Sequence, residues 1–167
     1  MSPELPTGTV TFLFTDLEGS TRLWEEHPDA MQDALARHDA IVRDAIESHN
    51  GQIVKTTGDG AHAAFTTASD AIDAAIAAQV ALEAQEWDTT GPLRVRMGIH
   101  TGAAELRGGD YYGTASNRAA RLMSVPHGGR SSCRSPRASC SATRRWSSWT
   151  SASTGCAISA IPSTSTR

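Results

Sequence analysis

Several familiar ingredients are missing from this chain. Cysteine does not occur before Cys133, and Cys133, Cys140 and Cys156 are spaced for neither a CxxC metal or redox motif nor a closed disulfide set. A reducing compartment, the cytoplasm, is therefore expected. No apolar run reaches the ~18 residues of a membrane-spanning helix, and Met1-Ser2-Pro3-Glu4-Leu5-Pro6 is too short and polar for a secretion signal. Aromatic residues are 5% of the chain, so a core must be built mainly from Ala, Ile, Leu and Val. No GxSxG, HExxH, P-loop or GxGxxG pattern is present. The six histidines show no ligand spacing and are assigned no chemistry. Lys55 is the only lysine, and no acidic residue follows Asp110. Residues 1–130 hold all 18 acidic groups against 10 basic ones, whereas residues 131–167 hold five Arg and no acid. An acidic body argues against a broad nucleic-acid-binding face.

The 167 residues that are there make one domain's worth of chain. A β-branched and aromatic run over 8–15 predicts a buried strand ending at Asp16. A turn at Gly19, Ser20 and Thr21 leads into a short helix through Trp24. Pro28 suits the first turn of a longer helix. Its core face carries Met31, Leu35, Val42 and Ile46 with Ile41 beside them, its wet side Asp33, Arg37, Asp44 and Glu47, and it stops near Asn50-Gly51. Two extended runs, 52–56 and 61–65, flank Gly58-Asp59-Gly60, whose glycines suit the positive φ angles of a hairpin turn. A helix over 70–87 stacks Ile72, Ile76 and Val80. A strand over 93–100 points Leu93, Val95, Met97 and Ile99 inward, with 103–106 pairing back on it. Gly108-Gly109-Asp110 is a turn, and a further helix is expected over 113–124. Helices alternating around one mixed sheet make an α/β or split-βαβ layer fold.

Past Gly128 the texture changes. Residues 131–167 contain 12 Ser and 5 Thr with no lasting apolar period, and no strand is evident there. The segment reads either as a disordered Ser-rich tail or as chain that has left its proper reading frame near Gly129. The abrupt break, with scattered Cys and Trp, favours the second. Shifting the coding DNA by one or two bases should then restore amphipathic strands.

Four stretches carry candidate chemistry. Asp16 ends a strand before a glycine turn, where a carboxylate faces the space beyond the sheet, and the backbone N–H groups of residues 17–21, with Gly19, Ser20 and Thr21, open a helix suited to phosphate. Asp59 sits at a hairpin tip. Each acid alone is equally ordinary cap or turn chemistry. If the two strands adjoin, the pair can hold two divalent cations. Lys55 is either an edge-strand lysine with its head in water or a donor to a purine ring nitrogen, with Asp110 accepting from an exocyclic amine. That donor-plus-acceptor pattern suits adenine's N1 and N6 amine, whereas guanine would prefer a carboxylate at position 55. Asn117 and Arg121, four apart, share a helix face. Arg suits bidentate phosphate contact, although Arg118 and Arg121 also read as solvated surface charges.

Phe14-Thr15-Asp16-Leu17-Glu18-Gly19-Ser20-Thr21, Lys55-Thr56-Thr57-Gly58-Asp59-Gly60, Gly98-Ile99-His100-Thr101-Gly102, and Asp110-Tyr111-Tyr112-Gly113 running on to Asn117 and Arg121 together resemble the class III nucleotidyl cyclases over residues 8–129. The resemblance implies an α+β fold with a ferredoxin-like βαββαβ core, C-terminal strands missing or degenerate, a cyclase homology domain over 1–129 and an atypical tail over 130–167. It implies catalysis at a dimer interface, in a homodimer or with another cyclase domain. Asp16 and Asp59 would bind two Mg²⁺ or Mn²⁺ ions, and Lys55 and Asp110 of the partner chain would select adenine. Asn117 would orient the ribose, and Arg121 would stabilise charge at the α-phosphate. The implied reaction converts ATP to 3′,5′-cyclic AMP and pyrophosphate. Members of the family usually bring a basic residue, often Lys, from strands after Gly129; here no lysine follows Lys55 and no strand is evident. A cyclase-like module that binds nucleotide or a partner without turnover therefore stands beside the enzyme reading. A guanylyl cyclase is disfavoured by Lys55 and Asp110, and a diguanylate cyclase relative by Tyr111-Tyr112.

Overall fold

The computed structural model describes residues 5–113 and 156–158. The helix expected over 113–124, with Asn117 and Arg121, lies outside the described residues, as does the rest of the tail.

Strand β1 (Gly8–Leu17) is followed by helices α1 (Ser20–Glu26) and α2 (Pro28–Ser48), the hairpin β2 (Gln52–Thr57) and β3 (Gly60–Phe65), helix α3 (Ala68–Ala84), strand β4 (Val95–Arg107), β5 (Asp110–Tyr112) and β6 (Cys156–Ile158). The strands order as β2-β3-β1-β4-β5, with β6 also pairing β4. β1 lies between β3 and β4, antiparallel to both. This is the α+β, ferredoxin-like arrangement expected for a βαββαβ chain.

Alternation along β1 divides the sheet into two faces. Leu13 and Leu17 pack against α1, α2 and α3 in the main core, whereas Val10, Phe12 and Phe14 join Ala64 and Tyr111 on the opposite face. α2 begins at Pro28 and buries Met31, Ala34, His38, Val42, Ala45 and Ile46. Each large apolar member contributes about 1.5–3 kcal/mol. Asn50, at φ 59°, turns the chain out of the helix at the expected place.

Three expectations need correction. On α3 the buried residues are Ala71, Ala74, Ala75, Ala78 and Leu82, while Ile72 and Ile76 are half-buried and Val80 is 48% exposed. Small side chains let α3 lie close to α2 and the sheet, so the alanine stripe faces inward. Residues 103–106 do not pair back on their own strand. β4 runs unbroken to Arg107, and Ala103 and Ala104 pair with Thr9 and Gly8 of β1. Finally, the tail does contribute one short strand, since β6 pairs parallel with Met97–Ile99 on the edge of β4 that β1 leaves open. Cys156-Ala157-Ile158 is a rare uninterrupted apolar triplet in that segment.

Candidate active site

Asp16 stands one residue from the C-terminal end of β1, on the face away from the helices. Its cross-strand partner on β4 is Arg96, whose guanidinium donates to the Asp16 carboxylate. Neither side chain is fully buried, and Arg96 Nε has no partner among the described residues. Sequence reading missed Arg96. The available signal was a charged residue alternating with inward-facing Val95 and Met97, opposite an acid on the neighbouring strand.

Asp59 lies in the turn between β2 and β3. Gly58 there has φ 64°, as expected, but Gly60 does not use a positive φ. Its lack of a side chain serves close approach: a Cβ at Gly60 would fall well inside contact distance of the Thr15 carbonyl oxygen. Next to it, the Ala61 N–H donates to Thr15 Oγ1 at 2.9 Å. These contacts clamp the Asp59 turn against the residue before Asp16, so the two acids flank one close backbone approach.

Gly19 caps α1 at φ 70°, and no side chain caps the first turn containing Ser20 and Thr21. Among the described residues no cluster of three or more His, Cys, Asp or Glu is placed to hold a metal. Two carboxylates are nevertheless the donor set that a hard cation such as Mg²⁺ accepts when phosphate oxygens complete its shell. Asp16 and Asp59 fit that requirement, provided the Arg96 contact to Asp16 opens or is shared.

The second cluster is built by β4 and β5. Gly108 and Gly109, both at positive φ, form a tight turn. Tyr111 then packs edge-on to Phe12 with ring centroids 5.0 Å apart, and its hydroxyl donates to the Pro6 carbonyl at 2.6 Å. Burial pushes the Tyr111 phenol up to about 12. This anchoring brings the β5 end of the sheet to β2 at its other edge. Lys55 Nζ donates to Asp110 Oδ2 at 2.7 Å, across 55 residues of sequence. The hydrogen bond from Lys55, and then that from the Tyr111 N–H, hold the Asp110 carboxyl below the usual carboxylate range.

Beside this pair sits His62, to which sequence reading assigned no chemistry. It pairs with Lys55 on β2 and Phe14 on β1, and its ring stacks on Phe14 with centroids 4.1 Å apart. Burial pushes the imidazole from 6.5 down to about 4, helped by Lys55 and opposed by Asp110. The unfolded chain therefore holds a proton that the folded chain lacks between about pH 4 and 6.5. Stability carried by this group is full above that window and is lost as pH falls through it. The expected loss is on the order of 3 kcal/mol, read as the difference in unfolding free energy between the parent and His62→Leu at each pH. Equal pH slopes in the two proteins would contradict this.

The ferredoxin-like sheet is the fold that the cyclase resemblance implies, and comparison with known proteins shows the family. The chain belongs to the adenylate and guanylate cyclase catalytic domain family, which it matches over residues 3–137. It is 44% identical over 126 residues to an uncharacterized protein of Mycobacterium tuberculosis, covering 74% of this chain and 42% of that protein. It is 36% identical to a receptor-type adenylate cyclase of Trypanosoma brucei brucei, covering 77% of this chain and 14% of that protein. The chain thus spans less than half the length of these curated relatives. Among solved structures, adenylate cyclases from Trypanosoma brucei in their monomeric state align with TM-score 0.69 and 34% identity, over 77% of this chain and 74% of theirs. An adenylate/guanylate cyclase/hydrolase from Silicibacter pomeroyi aligns with TM-score 0.62 and 35% identity, over 71% and 70%. Among the described residues no helix is long and apolar enough to cross a membrane.

Proposed function

We propose that residues 1–129 carry an adenylyl cyclase unit that converts ATP to 3′,5′-cyclic AMP and pyrophosphate in a two-chain site. The observation that carries the adenine preference is the Lys55–Asp110 pair. An exposed ion pair of this kind adds little stability, but it sets a donor and an acceptor side by side. Lys55 would donate to adenine N1 and Asp110 would accept from the N6 amine. The acids and the purine readers form separate ion pairs, Asp16 with Arg96 and Lys55 with Asp110. That separation suits a site in which one chain supplies Asp16 and Asp59 and its partner supplies Lys55 and Asp110.

In this reading Asp16 and Asp59 hold two Mg²⁺ or Mn²⁺ ions. When bound, these supply Lewis-acid stabilisation of phosphate charge and lower the pKa of the ribose 3′-hydroxyl. Arg96, released from Asp16, becomes a cation free to meet phosphate oxygens. Gly19, Ser20 and Thr21 offer backbone N–H groups to the triphosphate. Asn117 orients the ribose, and Arg121 meets charge developing at the α-phosphate. Chemistry of this kind rests on positioning and electrostatics.

Purified protein given ATP and Mn²⁺ is expected to release cyclic AMP, and a version with a frame-corrected C-terminus is expected to release more. Nucleotide binding without product would favour the non-catalytic module, a reading supported by the hold of Arg96 on Asp16. The absence of both binding and product would end the proposal. Lys55→Glu combined with Asp110→Gly should lower the ATP-over-GTP preference in kcat/KM by about 10- to 100-fold, since it removes both complementary groups. An unaltered ratio would remove the purine-reading assignment.

A further inference from the structure

His62 is 1% exposed, and neither of its ring nitrogens has a hydrogen-bond partner among the described residues. Buried polar groups are rarely left this way, and an orphaned one calls for an explanation such as a missing ligand or a functional role. Packing does not supply one. An apolar side chain of similar size would fill the space between Phe12, Phe14 and Tyr111 without stranding two nitrogens. The location does suggest a reason. Its strand neighbours are Lys55 and Phe14, and Lys55 in turn reaches Asp110. A neutral imidazole presents one donor and one acceptor, which matches the mixed edge of a purine. An imidazolium would offer donors alone and would repel Lys55.

We propose that His62 is a specificity-determining residue of the nucleobase site, its buried and unpartnered imidazole giving a third polar contact to the purine of a nucleoside triphosphate that parts Lys55 from Asp110. The inference rests on the nucleotide reading above. On binding, the base finds Lys55, Asp110 and the imidazole, and one of the two ring nitrogens gains a partner that no described residue supplies. The ligand-free protein is correspondingly less stable than it needs to be, a common accompaniment of a binding group.

The test is equilibrium binding, with Mn²⁺, of the non-reacting analogue α,β-methylene-ATP and of inorganic tripolyphosphate, which has no base, to the full chain and its variants. His62→Leu is expected to weaken analogue binding about tenfold and to leave tripolyphosphate binding unchanged. It should also raise the melting temperature of the ligand-free protein at neutral pH by about 3 °C. His62→Gln, which keeps a neutral donor and acceptor, should bind the analogue within about threefold of the parent. If Leu prevents folding, His62→Phe keeps the ring stack, lacks both nitrogens and carries the same expectation for binding.

Parental analogue affinity in the nitrogen-free variant would overturn the proposal. So would equal loss of both ligands, or a lowered melting temperature with unchanged preference for the analogue. A parent that binds the analogue no better than tripolyphosphate would overturn the nucleotide reading itself. A preference abolished by Lys55→Ala but kept in His62→Leu would overturn the role of His62 alone.

Discussion

Asp59→Ala is expected to cut cyclic AMP production by about 10³-fold while shifting the melting temperature by no more than about 1 °C. Among the described residues Asp59 makes no side-chain hydrogen bond or ion pair, and it sits in a turn whose geometry is set by Gly58 and Gly60. Its carboxylate therefore adds little to the fold and, in the proposed function, half of the protein's oxygen donors for the cations. Asp16→Ala should lose activity to a similar degree but is less clean, because it also strands Arg96, whose Nε already lacks a partner among the described residues. Comparing the two separates catalytic from structural loss. Turnover in Asp59→Ala above a tenth of the parent's would sink the two-carboxylate assignment.

Gly60→Ala should damage both the fold and the site. The added methyl group meets backbone, the Thr15 carbonyl, and not a side chain that can swing away. Either β3 moves off β1 or the turn distorts, at a cost of about 2–3 kcal/mol and a melting temperature lower by about 5–10 °C. Activity should fall further than stability, because the same shift carries Asp59 away from Asp16, and misplacement by about 1 Å can cost 10²-fold. Gly58→Ala is the control. It strains a positive φ in open space, at about 1–2 kcal/mol, without pushing the strands apart. Equal effects of the two substitutions on activity would show that strand approach at Gly60 is not what holds the acids together.

Much of this molecule can be read from local patterns. The strand that carries Asp16, the Pro28 helix start, the Asn50 exit and the Gly58 turn each rest on interactions within a few residues, and each stands within a residue of where the sequence puts it. What escaped depends on partners far along the chain. Whether Ile76 or Ala75 faces inward on α3 is decided by how close α2 and the sheet must come. The course of residues 103–106 is decided by Gly8 and Thr9 on β1. Arg96 gains meaning only opposite Asp16, and His62 only between Lys55 and Phe14. The pairing of Lys55 with Asp110 was readable as chemistry, but the folding-over of β5 that brings them together was not. Gly60 was assigned to the right turn for the wrong reason, because a need for proximity and a need for unusual φ leave the same letter in the sequence.

One property of the lysine–aspartate pair gives it a practical use. Lys55 carries the sole ε-amine of the chain and is about half exposed. An amine-selective acylating reagent therefore has a single side-chain target, and the extent of labelling at that residue becomes a direct gauge of occupancy. A ligand that engages the ammonium should shield it in proportion to saturation, giving an affinity by mass spectrometry without any need for turnover.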